Sequence, residues 1–298
     1  MNNIKHAYLI MAHNEVEILK ILLEMLDYDN NDIYLHIDLK SSNIKKSELL
    51  ECIKKSKIFF IEPRLDVQWG SFSQIECEYK LLEEASKKHY LYYHLLSGVD
   101  LPLKTQKEIH QFFDNNKGTE FIQFESDELT REEKKRVSKY HFIVKREKNI
   151  IEKILDKLLL SLQVNVDRTR KSPLIYRKGA NWFSITNELA QYVVENKQIV
   201  EKYFKYTICG DEMFLQSLTY SSKYKNNISE KNFCDNYDTI KYVIDWKRGN
   251  PYIFRKTDFN KLISSEQLFA RKFSWKLDSD IVEQIRDYVL DKQKKLML

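Results

Sequence analysis

The stretch AYLIMAHNEVEILKILLEMLDYDNNDIYLHID, residues 7–38, decides the reading of the fold. Residues 7–12 are an apolar run of strand length, closed by the polar pair His13 and Asn14. Residues 16–26 are apolar and long enough for a helix, and residues 32–38 are rich in β-formers and end on the carboxylate of Asp38. The alternation then continues. Residues 44–56 are amphipathic, 58–61 make a short strand, and 73–85 place Ile75, Leu81, Leu82 and Ala85 at helical spacing before the aromatic strand 90–96. Strand and helix in turn predict an α/β fold with a mainly parallel, Rossmann-like sheet flanked by helices. Ligands of such sheets bind beyond the carboxyl ends of the strands. Chemistry is therefore expected at His13 and Asn14, Asp38, Trp69 and residues 97–100.

Beyond Leu103 the pattern is more mixed. A strand is expected at 120–124, a charged surface helix or loop at 127–138, helices at 187–196 and 211–220, a strand at 240–246 and a last amphipathic helix at 281–290. Residues 226–238 read as the most loop-like stretch. Residues 150–162 carry an apolar stripe at 150, 151, 154, 155, 158, 159 and 162, with Lys148, Lys153 and Lys157 nearby. A helix packed on the core is the ordinary reading of such a stripe; a helix lying on a membrane surface is the other.

Composition narrows the chemistry. Six Gly in 298 residues, with no GxGxxG or P-loop pattern, leave side chains to hold any phosphate. The formal net charge of +5 comes from mixed charges rather than one basic stripe, which argues against nucleic acid as a partner. Cys52, Cys77, Cys209 and Cys234 form no CxxC pair, so reduced thiols in a cytoplasm are expected, with no zinc site. The apolar run near the N-terminus is too short for a signal peptide or a membrane span.

Each candidate residue has a structural reading beside its chemical one. Residues 97–105, SGVDLPLKT, set Gly98 where backbone can approach a ligand and Asp100 where a carboxylate can accept hydrogen bonds from sugar hydroxyls; the alternative is an ordinary turn. Asp38 suits either a ligand or loop backbone. Trp69 suits either stacking or a core anchor. In GDEMFLQSL, Asp211 resembles an N-cap, leaving the carboxylate of Glu212 free to take a proton from an attacking hydroxyl. Arg271 and Lys272 lie between aromatics in LFARKF, where two cations can neutralise a departing diphosphate or simply be solvated.

The series AYLIMAHN, HIDLK, WGSFSQIE, YYHLLSGVDLPLKT, KGANWFSIT, GDEMFLQSL, YVIDW and LFARKF, in this order over about residues 5–275, resembles the core-2/I-branching enzymes. These are β-1,6-N-acetylglucosaminyltransferases, with peptide O-xylosyltransferases as relatives. The resemblance implies a GT-A type fold in one catalytic domain over residues 1–298. Residues 1–105 would form its nucleotide-binding half, 106–225 its acceptor-side half, and 226–298 the segment with the diphosphate-binding cations. It also implies an inverting transfer from a UDP-sugar, most simply UDP-GlcNAc, with no metal or other cofactor.

Carried over position by position, the resemblance makes Glu212 the catalytic base. Met11, Ala12, His13, Asp38, Lys40, Trp69, Asp100, Lys241, Arg271 and Lys272 become donor-binding residues, and Glu125, Arg136 and Trp182 acceptor-binding ones. Asp278-Ser279-Asp280 fits the DxD pattern of manganese-dependent transferases, but its place before the last helix reads as capping. Lacking an anchor and a disulfide framework, the chain looks like a bacterial, cytoplasmic member. Its expected acceptor is a glycan or lipid-linked glycan of surface polysaccharide synthesis, with peripheral contact to the inner face of the membrane. UDP-xylose, UDP-galactose or UDP-glucose as donor, or a non-catalytic glycan-binding role on the same fold, stand as alternatives.

Overall fold

The computed structural model describes residues 5–230, 233 and 236–296. Cys234 and part of the 226–238 stretch lie outside them. The strands are β1 (His6–Ala12), β2 (Asn31–Ile37), β3 (Lys57–Phe60), β4 (Tyr92–Ser97), β5 (Leu101–Pro102), β6 (Phe121–Ile122), β7 (Phe183–Thr186), β8 (Tyr242–Ile244) and β9 (Phe269–Arg271). The helices are α1 (Val16–Leu26), α2 (Lys46–Leu50), α3 (Phe72–Ala85), α4 (Gln106–Asn115), α5 (Arg131–Ser138), α6 (Ile150–Ser161), α7 (Asn187–Glu195), α8 (Lys197–Phe204), α9 (Phe214–Tyr220), α10 (Phe259–Ile263) and α11 (Ser279–Lys295).

The main sheet has the order β3-β2-β1-β4-β7-β6. Strands β3, β2, β1 and β4 run parallel, while β7 and β6 add antiparallel pairs. All seven residues of β2 are buried, as a central parallel strand covered on both faces requires. The order reverses between β1 and β4. From β1 the chain steps outward through α1 to β2 and β3, then returns past β1 through α3 to β4. Right-handed crossovers in these two directions place α1 and α3 on opposite faces. Helix α3 packs across β1 and β2, while α1 lies against α11 and β5. That second cover explains why α1 is buried almost all round, from Ile18 to Leu26.

A small second sheet, β5-β9-β8, is decisive for the site. It pairs Leu101 with Ala270 and Pro102 with Phe269, bringing LFARKF from the end of the chain onto the turn after β4. The carboxyl ends of β1 and β4, where the strand order reverses, are thus roofed by a segment some 170 residues distant in sequence.

Several expected elements differ in extent. The 44–56 helix is only the five residues of α2, because Asp27 accepts the backbone N–H groups of Lys54, Lys55 and Ser56 and turns the chain. The 120–124 strand shrinks to β6. Asp211 is not an N-cap: Gly210–Glu212 form a separate 3-10 turn, and α9 starts at Phe214. Asp278 does cap α11, accepting from Ile281 N at 3.1 Å. Helix α6 forms as expected, yet none of its residues is buried, so the packed-helix reading fails.

Candidate active site

At the end of β1, Met11 O accepts from Gly98 N and Ala12 O from Asp38 N, at 3.0 and 2.8 Å, joining the three strand ends. A Cβ on Gly98 would stand 3.1 Å from that of Ala12, so glycine lets these ends close up. Asp38 is buried and commits both oxygens to loop backbone, accepting from Lys40 N and Val67 N at 2.9 Å each. It shapes the rim rather than offering a free carboxylate. Lys40 pairs with Asp66 and stays exposed. Trp69 is also exposed, in the loop before α3, so it is not a core anchor. Burial, then the charge of Lys272, pushes the His13 imidazole below its ordinary value.

Asp100 is fully buried and accepts from Ser97 N at 2.8 Å and Ser97 Oγ at 2.6 Å. Burial raises its carboxyl, and the nearby Arg271 opposes that rise, with Nε 3.6 Å from Asp100 Oδ1. The Arg271 guanidinium lies 4.1 Å over the ring of Trp182. Trp182, expected on the acceptor side, is a buried platform for Arg271, expected on the donor side. Burial, then Arg271 and Arg146, hold the Lys272 ammonium below its usual value, as expected where cations converge. Lys241 is not brought to this cluster. It stands before β8, level with Leu268, and its ammonium lies over Phe112.

Glu212 stands at the end of the 3-10 turn Gly210–Glu212. Its Oε2 accepts from Arg136 Nη2 at 2.8 Å. Arg136 also donates to the carbonyls of Ile208 and Cys209, fixing the turn that carries Glu212. Lys178 pairs with Glu125 and, at 3.2 Å, with Glu133. Arg136 therefore touches the candidate base directly, while Glu125 belongs to the neighbouring ion-pair group. Beneath Glu212, Asp211 is buried and accepts from Gln74 at 3.0 Å; burial and then the charge of Glu212 push it up to about 7.

One short segment joins the two halves. Gly179 N donates to Glu212 O at 2.9 Å, and three residues on, Trp182 carries Arg271. Three residues span at most about 10 Å. A Cβ on Gly179 would stand 1.9 Å from Gln123 O, so only glycine passes here.

Sequence reasoning missed Glu15 and Arg146. Glu15 accepts from Ser274 Oγ at 2.6 Å and Trp275 N at 2.9 Å, tying the chain just after Lys272 to the start of α1. No local signal announces a partner 259 residues away. Arg146 lies in a run of charges with nothing to mark it out.

Residues 6–270 match the family model described as Branch, the core-2/I-branching enzyme. Xylosyltransferase 2 of Canis lupus familiaris is 22% identical over 303 residues, covering 94% of this chain and 33% of that protein. The Rattus norvegicus protein of the same name is 23% identical with the same coverage. A xylosyltransferase of Ciona intestinalis is 20% identical over 298 residues, covering 95% and 34%. The chain spans about a third of the length of these curated relatives. Among solved structures, apo mouse xyloside xylosyltransferase 1 aligns with a TM-score of 0.39 and 12% identity over 89% of this chain and 96% of that one, too loosely to bear on fold or activity.

Proposed function

The chain belongs to the core-2/I-branching enzyme family, and from that premise we propose that it is an inverting glycosyltransferase moving a sugar from a UDP-sugar to a glycan hydroxyl. Glu212 takes the proton of the acceptor hydroxyl as its oxygen attacks the anomeric carbon. The bond from that carbon to the UDP oxygen breaks, and Lys272 and Arg271 stabilise the charge that gathers on the leaving diphosphate. Positive charge from side chains does here what a metal does elsewhere, so the reaction needs no cofactor. The segment that binds the Glu212 main chain through Gly179 and carries the ring of Trp182 under Arg271 supports this reading, because it ties the candidate base and one candidate cation to the same short stretch of chain.

The donor is UDP-xylose or UDP-GlcNAc. Relatives named as xylosyltransferases favour xylose, and N-acetylglucosamine is what the sequence resemblance to the β-1,6-N-acetylglucosaminyltransferases implies. The acceptor we propose is a glycan or lipid-linked glycan of bacterial surface polysaccharide synthesis. Titration calorimetry with UDP, UDP-xylose and UDP-GlcNAc, in EDTA and then in manganese, tests the proposal. Metal-indifferent binding of UDP and one donor is expected. Binding only with manganese would overturn the role of the cations, and no binding at all would turn the reading toward a glycan-binding protein.

A further inference from the structure

Helix α6 is built inside out. Its carboxylates lie on the side opposite the apolar stripe, where Glu152 pairs with Lys145 and Asp156 with Lys148. Asn149 caps its start reciprocally with Glu152. Its far end is held by Lys139, which donates to the carbonyls of Gln163 and Val166 at 2.7 and 2.6 Å. Polar contacts thus hold the helix at both ends. Meanwhile Ile150, Ile151, Ile154, Leu155, Leu158 and Leu162 face solvent, each between 44% and 77% exposed, and Val164 extends the patch. At 100° per residue these six cover one contiguous arc, and Lys153 and Lys157 line one edge of it. Neither lysine has a counter-ion among the described residues.

We infer that this face docks on an anionic lipid surface. An apolar arc edged by ammonium groups, with its own carboxylates neutralised on the opposite side, is complementary to acyl chains beneath negative headgroups. A two-fold pairing of this arc with itself would bring only apolar residues and lysines to the seam, because Glu152 and Asp156 are paired on the opposite side of the helix. The helix is about 18 Å long, suited to lying in the interface. No helix among the described residues is long and apolar enough to cross a membrane.

The test is flotation of the full chain with phosphatidylcholine vesicles, with and without phosphatidylglycerol. Binding to the phosphatidylglycerol vesicles is expected, weakened roughly tenfold on phosphatidylcholine alone and at high salt. The double variant Ile151→Glu, Leu158→Glu should lose binding by roughly tenfold or more while unfolding at the same temperature, since both side chains face solvent. Lys153→Glu with Lys157→Glu should remove only the preference for anionic lipid. Three results would overturn the inference: a wild-type chain that binds neither vesicle, binding unmoved by the double variant, or a dimer lost in that variant with no vesicle binding. UDP titration is a separate measurement, so failure of docking and failure of the transferase reading are told apart.

Discussion

Arg136 donates to Glu212 at 2.8 Å and, with the same guanidinium, to the carbonyls of Ile208 and Cys209. One side chain fixes both a carboxylate and the turn that presents it. Glu212→Gln keeps the shape and removes the proton acceptor, so transfer should fall by roughly 10²–10⁴ while UDP affinity stays near wild type. Initial rates and UDP calorimetry on the same preparation check this. Retained transfer would assign the base elsewhere. Arg136→Lys keeps a charge but loses the fork, and should slow transfer by roughly tenfold through misplacement of Glu212.

Lys272→Ala should weaken UDP binding roughly tenfold and lower kcat/KM further, because charge on the diphosphate grows as the bond breaks. Arg271→Ala does something more: it leaves the buried Asp100 facing no cation. It should cost about 2–4 kcal/mol of stability, read by chemical denaturation. Arg271→Lys restores the charge without the flat contact on Trp182 and should recover part of that loss. Equal stability of all three proteins would mean that the Asp100 pairing contributes nothing.

Gly179→Ala should lower stability and activity together. The new methyl has no room beside Gln123 O, so the segment must move, and with it the contacts to Glu212 and Trp182. A loss of about 1–3 kcal/mol is expected for such overpacking. Wild-type transfer rates in this variant would show that the segment does not position the base.

Histidines and a carboxyl give opposite pH dependence. Half-buried His110 is pushed down to about 4 by its partial removal from water, and the fully buried His6 and His94 are lowered too. A depressed histidine binds its proton more readily when unfolded. The stability it contributes is complete above about pH 6.5 and lost as pH falls toward the folded value. His110→Phe should therefore gain on wild type as pH drops from 6.5 to 4. Glu120, which accepts from Thr186 N and Oγ1, is pushed up to about 7 by burial. The folded state then holds a proton that the unfolded state releases near pH 4.3, so its contribution falls as pH rises to 7. Glu120→Gln should gain on wild type across that window. Denaturant midpoints of the three proteins from pH 4 to 8 measure both slopes, and parallel curves would sink the argument.

The order of strands and helices in the first hundred residues was legible in the sequence, though not the shortness of α2, and the polar strand ends pointed to one edge of the sheet for chemistry. Periodicity is local, and apolar residues at strand and helix spacing have few other ways to be buried. The sequence also placed Glu212, Arg271 and Lys272 as candidates through motif order. Only the tertiary structure decided their surroundings. Asp38 proved to be occupied with backbone, Lys241 stood apart, Trp182 lay under Arg271, and Glu15 reached the end of the chain. Each of these depends on pairing between segments far apart in sequence, above all β5 with β9, and no local spacing encodes which distant partner a side chain meets. Helix α6 makes the same point from the other direction. Its stripe was legible at once, but that the stripe faces solvent, with Glu152 and Asp156 paired to Lys145 and Lys148 on the other side, was not.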